Sequence, residues 1–178
     1  PGENASWGFD PRLGMKFAVV EKTRFKGGVG LYHQPPQPFE SYRSDDTPVN
    51  LGQEVAYAAT FGWEQDVGQA IHGEVEVFYK WMDDLIVSNP DFDSIDDTYF
   101  INAGVGRAYG LEAILRHDPV GNLFGWLSYT LSRSERRDYE DSDWYRFDFD
   151  QTHIFSAVAG YKLPYDFEIG VKGQYVTG

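Results

Sequence analysis

The sequence contains no cysteine and few basic residues. Because none of its 178 residues is Cys, the chain cannot build a disulfide framework, a Cys-ligated zinc site, an iron–sulfur cluster or a thiol nucleophile. Lys and Arg total 15 against 28 Asp and Glu, which gives a formal net charge of −13. Nucleic-acid affinity comes largely from Lys and Arg that neutralise phosphates. The composition therefore argues against a nucleic-acid partner.

Long apolar runs are also missing. The longest stretch without a charged residue, Pro119 to Ser132, is shorter than the roughly 20 apolar residues that a membrane helix needs. The sequence therefore predicts no membrane-spanning helix, and no signal peptide is visible. Aromatic residues, in contrast, make up 17% of the chain, with 13 Phe, 12 Tyr and 5 Trp, and they are spread among polar residues.

Between Ile71 and Trp81, apolar and polar residues alternate with a period of two. Successive side chains of a strand point to opposite faces, whereas a helix would scatter the same residues around its circumference. The segment is therefore predicted to be a strand with an apolar odd-numbered face and a mostly polar even-numbered face. The apolar positions are Ile71, Val75, Val77, Tyr79 and Trp81.

The same pattern, less regular in three segments, predicts eight strands in an all-β chain. Short turns and long polar loops alternate between them, and this order is typical of an up-and-down antiparallel sheet with all long loops at one end. The predicted strands are Arg12 to Val19, Arg24 to Leu31, Gln53 to Glu64, Ile71 to Trp81, Tyr99 to Arg116, Asn122 to Ser134, Tyr145 to Leu163, and Phe167 to Tyr175.

A soluble barrel with an apolar core is the first alternative, and three features favour a transmembrane β-barrel over it. Several predicted strands are longer than the usual roughly 5 to 6 residues. Rings gather near strand ends, as at Trp63 and Trp81, where they would meet the membrane interface. Charges lie in mid-strand, as at Glu74 and Glu112, where a polar lumen accommodates them. A spanning sheet must close on itself, so the strands form either one small barrel or an arc of a larger one.

A series of short motifs along the chain resembles the barrel of TonB-dependent outer-membrane receptors. Each motif is short, and the order and spacing of the series over nearly the whole chain carry the resemblance. The motifs include the segments Phe78 to Val87, Ile101 to Arg116, Gly125 to Ser134, Asp150 to Pro164, and Gly173 to Gly178, with a hairpin and Pro-rich loop at Pro11 to Pro36.

The resemblance implies part of a 22-stranded barrel in the bacterial outer membrane of a Gram-negative cell. Such receptors hold an N-terminal plug and import scarce ligands such as ferric siderophores, cobalamin or glycans with energy from a TonB complex. The expected partners are therefore outer-membrane lipid, the remainder of the receptor barrel and its plug, and the TonB complex through that plug. We expect residues 1–178 to be a partial barrel domain without a plug.

Two groups of residues are the candidate functional positions. Even-numbered charged residues are predicted to face the lumen, namely Glu74, Glu76, Lys80, Glu112, Arg116 and Lys172. The long loop from Glu135 to Trp144 mixes basic and aromatic side chains, a set suited to recognition, so its residues are candidates for ligand contact from the extracellular side. They are Arg136, Arg137, Tyr139 and Trp144.

Signals for enzyme and metal chemistry are weak. Glu74 and Glu76 could in principle form an acid–base pair, but neighbouring lumen carboxylates explain them more simply. The acidic loop Asp91 to Asp97 lacks the spacing of a calcium loop, and the four histidines have no local metal-ligand spacing. No nucleophile elbow, phosphate loop or dinucleotide fingerprint is present. We predict no catalytic residue, no metal and no cofactor.

Two alternatives stay open at this level. One is a self-contained eight-stranded outer-membrane barrel acting as an anchor, adhesin or hydrolase, and the other is a soluble ligand-binding barrel. The membrane hypothesis requires five apolar side chains to lie on an open outward face instead of in a closed core. These are Phe61, Val75, Val77, Leu127 and Ile169.

Overall fold

The computed structural model describes residues 8–41, 49–93 and 98–178, and in these ranges the regular structure is entirely β. It contains no helix that is long and apolar enough to cross a membrane within the described residues. Nine antiparallel strands form one sheet. They are β1 (Arg12–Val20), β2 (Thr23–Gln34), β3 (Glu54–Val67), β4 (Ile71–Ser88), β5 (Phe100–His117), β6 (Leu123–Arg137), β7 (Tyr145–Arg146), β8 (His153–Lys162) and β9 (Glu168–Val176).

The strands are joined in an up-and-down order that confirms the predicted topology. Each long strand pairs with the next along the chain, from β1 through β6 and then β8 to β9, while β7 pairs only with β6. Short connections at 21–22, 68–70, 118–122 and 163–167 alternate with longer ones at 35–53, 89–99 and after β6. All the longer connections therefore lie at one end of the sheet.

The sheet is open, because its order begins at β1 and ends at β9 without pairing these two strands in the described part of the chain. An open edge exposes unpaired backbone donors and acceptors, which lipid does not tolerate. The arrangement is an arc of a larger barrel, and it does not favour a self-contained eight-stranded one.

The register of the sheet gives each face a consistent composition. Odd-numbered residues lie opposite odd-numbered residues across five successive pairings from β1 to β6 and on through β8 and β9. The exceptions are the pairs Val20–Thr23 and Leu85–Gly104, each beside a register shift. Residues opposite each other point to the same side, so the alternation within single strands becomes two faces of the whole sheet. One row of the odd-numbered face runs Phe61, Val77, Leu111, Leu131.

The odd-numbered face is not covered by any second layer in the described residues. Its apolar side chains are exposed, for example Phe61 at 56%, Val77 at 47% and Ile169 at 62% of their full area. Leu127 is also exposed, and Val75 is half-buried. The only buried apolar residues in the described ranges are Ala56 and Leu85. A soluble barrel would bury this face in a core, so the exposed apolar face does not favour the soluble alternative.

The alternation is interrupted in β4 by an irregularity at Asp84, whose φ of 57° is left-handed. The register shifts between Met82 and Leu85, and beyond it Leu85 turns to the even-numbered face. There its Cδ1 would lie 3.1 Å from a Cβ added at Gly106, so the glycine makes room for it. Because this irregularity breaks the odd–even alternation, the sequence pattern ended the strand at Trp81, whereas β4 continues to Ser88.

The prediction of one continuous strand from Tyr145 to Leu163 is wrong. The structure has the two-residue β7 and then β8 from His153, with a turn between them in which the Asp150 backbone N–H donates to the Phe147 carbonyl (2.8 Å). The Asp150 carboxylate accepts a hydrogen bond from the Ser134 backbone N–H of β6 (2.6 Å). A side chain therefore replaces the strand partner that β6 would otherwise need at this position.

Candidate functional site: the charged face and the long-loop end

Lys26 binds two glutamates on the even-numbered face of the sheet. Its Nζ is bonded to Glu74 and lies 2.8 Å from Oε2 of Glu76. The lysine reaches β4 by passing over Gly62 of the intervening strand β3, where an added Cβ would lie only 2.7 Å from Lys26 Cε. Glu74 and Glu76 therefore act as a pair of counter-ions for one lysine. This agrees with the interpretation as neighbouring lumen carboxylates that the sequence favoured over an acid–base pair.

A second ion cluster lies nearer the short-turn end of the same face. Arg24 bonds Glu64 through Nε (2.8 Å) and Asp66 through Nη1 and Nη2 (2.8 and 3.0 Å). Lys16 binds the same Glu64 at 2.7 Å, and Asp66 also bonds His72. Glu64 is only 5% exposed, so the two cations compensate a carboxylate that has lost most of its water.

All six predicted lumen residues lie on this one face, by strand register. Glu112 lies directly opposite Glu76, and Arg116 pairs with Asp118 of the adjoining turn at 2.9 Å. Lys80 and Lys172 are exposed. The ion partners Lys16, Arg24, Lys26, Glu64, Asp66 and His72 were not among the candidates, although their shared even numbering was a signal that could have found them.

The prediction that all four ligand-contact candidates lie in a loop is wrong for Arg136 and Arg137, which are the last residues of β6 and pair with β5, whereas Tyr139 and Trp144 lie in the loop. All four have partners within the chain and do not form one cluster. Arg136 lies over the Phe147 ring, 3.6 Å from its centroid. Tyr139 Oη donates to the Ser88 carbonyl at 2.6 Å. Arg137 lies 5.5 Å from the centroid of Trp144, whose ring also packs edge-on against Trp81 at 5.8 Å. Arg137 and Trp144 therefore lie on the odd-numbered face, whereas the strand register places Arg136 on the even-numbered, charged face.

Two ionisable groups at the long-loop end have shifted pKa values. The hydrogen bond between the His33 ring and the Asp10 carboxylate, where Nδ1 lies 2.8 Å from Oδ1, holds the pKa of Asp10 below its usual range. Partial burial of the Tyr145 hydroxyl, together with its hydrogen bond to the Asp138 carboxylate, raises the pKa of Tyr145 to about 12. Each shift widens the pH range over which the group keeps the charge state that its hydrogen bond requires.

The acidic loop considered for calcium lies partly outside the described residues, since 94–97 are not described. Within the described ranges, no three His, Asp or Glu side chains are grouped so as to hold a metal ion. The histidines with described contacts bind carboxylates or, in the case of His153, the Tyr129 hydroxyl at 2.8 Å.

The whole chain, residues 1–178, matches the family described as "TonB dependent receptor-like, beta-barrel". The chain belongs to this family. Comparison with curated protein sequences returns no match. The family is one of transport receptors of the outer membrane.

Solved structures of TonB-dependent receptors share the fold of the segment. The FrpB iron transporter from Neisseria meningitidis (F3-3 variant) is 18% identical with a TM-score of 0.71, covering 94% of this chain and 26% of its own. The ferric-catecholate import receptor Fiu from K12 E. coli is 16% identical (TM-score 0.71, 93% and 24%). The alcaligin outer membrane receptor FauA from Bordetella pertussis is 13% identical (TM-score 0.63, 95% and 31%). This TonB-dependent receptor segment therefore spans about a quarter to a third of these chains.

Proposed function

We propose that this chain is a part of the barrel wall of an outer-membrane importer driven by TonB. The observation that carries the proposal is the open sheet with an uncovered apolar face and an ion-paired charged face. Lipid accepts the first face, and a hydrated lumen accepts the second. The rest of the barrel, the plug and the contact with the TonB complex would come from the remainder of the receptor, and residues 1–178 would be wall throughout.

The height of the apolar face supports a membrane span. From Ile71 to Trp81 the strand β4 covers roughly 34 Å at about 3.4 Å per residue. With the strand tilted by about 45°, this corresponds to roughly 24 Å along the membrane normal. The lipid-facing band of such barrels is about 25 Å tall. Tyr79, Trp81 and Tyr109 lie at the upper edge of this band, as expected for rings at an interface.

The candidate lumen residues fit a route for a polar ligand. In our proposal Glu74, Glu76, Lys80, Glu112, Arg116 and Lys172 line the wall beside the plug, and none of them has a catalytic role. Arg136, at the end of β6, is the candidate best placed to touch a ligand, because it lies on the charged face, and Tyr139 lies in the following loop at the same end. Arg137 and Trp144 are weaker candidates because their contacts lie with the apolar face.

The imported ligand is proposed to be a ferric siderophore. The names of the three structural neighbours refer to iron, a ferric catecholate and alcaligin, and these names are the support for placing iron ahead of cobalamin or a glycan. No cofactor is required by this proposal, since the ferric complex is cargo.

Uptake by the source bacterium tests the proposal. Cells lacking the gene for the intact receptor, and cells lacking TonB, are compared with the parent for accumulation of labelled ferric catecholate, ferric hydroxamate, cobalamin and oligosaccharide. We expect both deletions to abolish uptake of a ferric complex, with rescue by the intact gene. Uptake that persists without TonB, or a receptor found outside the outer membrane, would contradict the proposed function. Loss of cobalamin uptake alone would show that the ligand is cobalamin and not a ferric siderophore.

A further inference from the structure

The even-numbered face is not polar throughout. On β5, β6 and β8 four large apolar side chains of this face surround Ser128 and Ser156, which lie directly opposite each other. Ile114 is 40% exposed and Trp126 is 37% exposed, and the other two are half-buried. We call these four side chains the lumen patch. They are Ile114, Trp126, Ile154 and Val158.

The strand register brings the lumen patch together. Ile114 lies opposite Ser128, and Trp126 lies opposite Val158 one row nearer the short-turn end. Ile154 lies on β8 one row nearer the long-loop end. No second layer covers these side chains in the part of the chain that the structure describes. Lipid does not cover them either, because the proposed function places the opposite face against the membrane.

The ion pairs of the same face lie on other strands. In the described ranges, every ion pair that joins two strands on this face belongs to β1–β4, and we call its members the ion-paired sector. They are Lys16, Arg24, Lys26, Glu64, Asp66, His72, Glu74 and Glu76. Lys26 on β2 and Ser128 on β6 are four strands apart, roughly 19 Å along the sheet.

The two sectors respond in opposite ways when a covering surface leaves. In the ion-paired sector each carboxylate keeps its cation, and Glu64, which is 5% exposed, keeps two. Water can therefore replace the covering surface there without leaving a buried charge unpaired. Uncovering the lumen patch exposes apolar area to water, which is unfavourable. A domain inside the barrel is therefore held at the lumen patch and separates more easily from the ion-paired sector.

We propose that the plug stays in contact with the lumen patch during transport, while the imported ligand passes along the ion-paired sector. The inference rests on the proposed function, which supplies both the plug and the lumen. The plug is the occupant because the patch faces the lumen and this chain covers only 26% of the FrpB chain, so most of such a receptor lies outside it. The plug would meet the patch with apolar side chains. Charges that are already paired do not bind a passing ligand tightly, as release on the far side requires.

Cysteine labelling of the intact receptor in cells tests this division. The single substitutions in the lumen patch are Ser128→Cys and Ser156→Cys. In the ion-paired sector they are Ala18→Cys, opposite Arg24, and Thr60→Cys on the same face of β3. Any other cysteine of the receptor is removed, and the probe is a water-soluble maleimide. Labelling rates are compared in resting cells, in cells importing the ferric complex, and in cells that lack TonB but have the complex bound.

We expect import to raise labelling at Ala18→Cys and Thr60→Cys at least about tenfold, and to change labelling at the two lumen-patch positions by less than about twofold. The rise requires TonB. An equal or larger rise at the lumen patch, or no rise in the ion-paired sector, would overturn the inference. Protection of the lumen patch only when the ferric complex is bound would show that the ligand occupies the patch, and would overturn it as well.

Plug release tests the contact independently of labelling. The intact receptor is placed in a planar lipid bilayer, and the urea concentration that opens its conductance is measured. We expect Trp126→Ala to open at lower urea than the parent. Trp63→Ala is the matched control, because it removes the same ring from the opposite face. Equal urea concentrations for the two variants would contradict the contact, and Ile114→Ser decides the test if Trp126→Ala does not assemble.

Membrane fractionation and uptake separate this inference from the proposed function. If the receptor lies in the outer membrane and imports its ligand through TonB, but labelling rises at the lumen patch, only this inference fails. If the receptor is absent from the outer membrane, or imports without TonB, the proposed function fails as well.

Discussion

Lys26 on β2 neutralises two glutamates on β4, which is the next strand but one. Its aliphatic stem lies over Gly62 of the intervening strand β3. Glu112 stands opposite Glu76, so three carboxylates share this region of the charged face with one lysine. Like charges facing each other across a sheet destabilise it. The lysine therefore contributes more than an exposed surface ion pair would.

Lys26→Met in the intact receptor should lower the free energy of unfolding by about 1–2 kcal/mol, because two carboxylates lose their charged partner in a hydrated lumen. Urea unfolding in lipid vesicles measures the change. Lys80→Met is the matched control, since Lys80 lies on the same face and has no ion pair among the described residues. Equal effects of the two substitutions would show that the Lys26 ion pairs do not stabilise the wall.

The choice of ion partners could not be predicted from the sequence. The alternation placed the charges of β4 and β5 on one face, but pairing depends on register and on reach. Lys26 crosses a whole strand to bind Glu74 and Glu76 only because position 62 is Gly. Likewise, no local pattern indicates that Trp144 would pack on Trp81, because 62 residues separate them and the contact depends on the path of the loop after β6, which the sequence pattern does not give.

At the scale of single elements, β5 depends on glycine for close approach to both neighbouring strands. A Cβ added at Gly110 would lie 2.4 Å from the Leu131 carbonyl oxygen and 2.9 Å from the Phe78 ring. Neither contact can relax easily, since one is backbone and the other is an aromatic ring between strands. Packing between strands therefore explains why position 110, within the segment Ile101 to Arg116, is glycine.

Gly110→Ala should destabilise the intact receptor by about 1–3 kcal/mol, the usual cost of overpacking. Thermal unfolding, followed by the loss of heat-resistant migration in gels, measures the change. Gly173→Ala is the matched control, because no atom of this segment lies within 4 Å of the added Cβ. If the Gly110 variant unfolds at the same temperature as the control, the close approach between β5 and β6 is not required.

Strand identity could be predicted wherever the alternation is strict, and strand ends could not. In β4 the alternation located Ile71–Trp81, but the strand continues past Asp84 because the bulge turns Leu85 inward and pairing resumes at Ile86 with Asn102. In the segment from Tyr145 to Leu163, apolar residues continue through Phe147 and Phe149, so the pattern hid the turn that the Asp150 carboxylate stabilises.

At the scale of the whole molecule, the account rests on two faces that meet different solvents. This division could be predicted from the sequence, because the alternation within each strand already separates its apolar from its polar residues. The two faces then extend over the whole sheet if odd-numbered residues of neighbouring strands lie opposite each other. The rest of the barrel, which must supply partners for β1 and β9, lies outside what these residues determine. Family membership and the fold of the structural neighbours supply that context.

The most direct test is a spin-label scan of β4 in the intact receptor in lipid vesicles. The segment has no native cysteine, so single cysteines at positions 74–79 can each carry one label within it. Collision with oxygen, which concentrates in lipid, is compared with collision with a water-soluble nickel chelate. The account predicts oxygen contact at Val75, Val77 and Tyr79 and lower oxygen contact at the alternating even positions. A scan without this period, or one with the parity reversed, would contradict it.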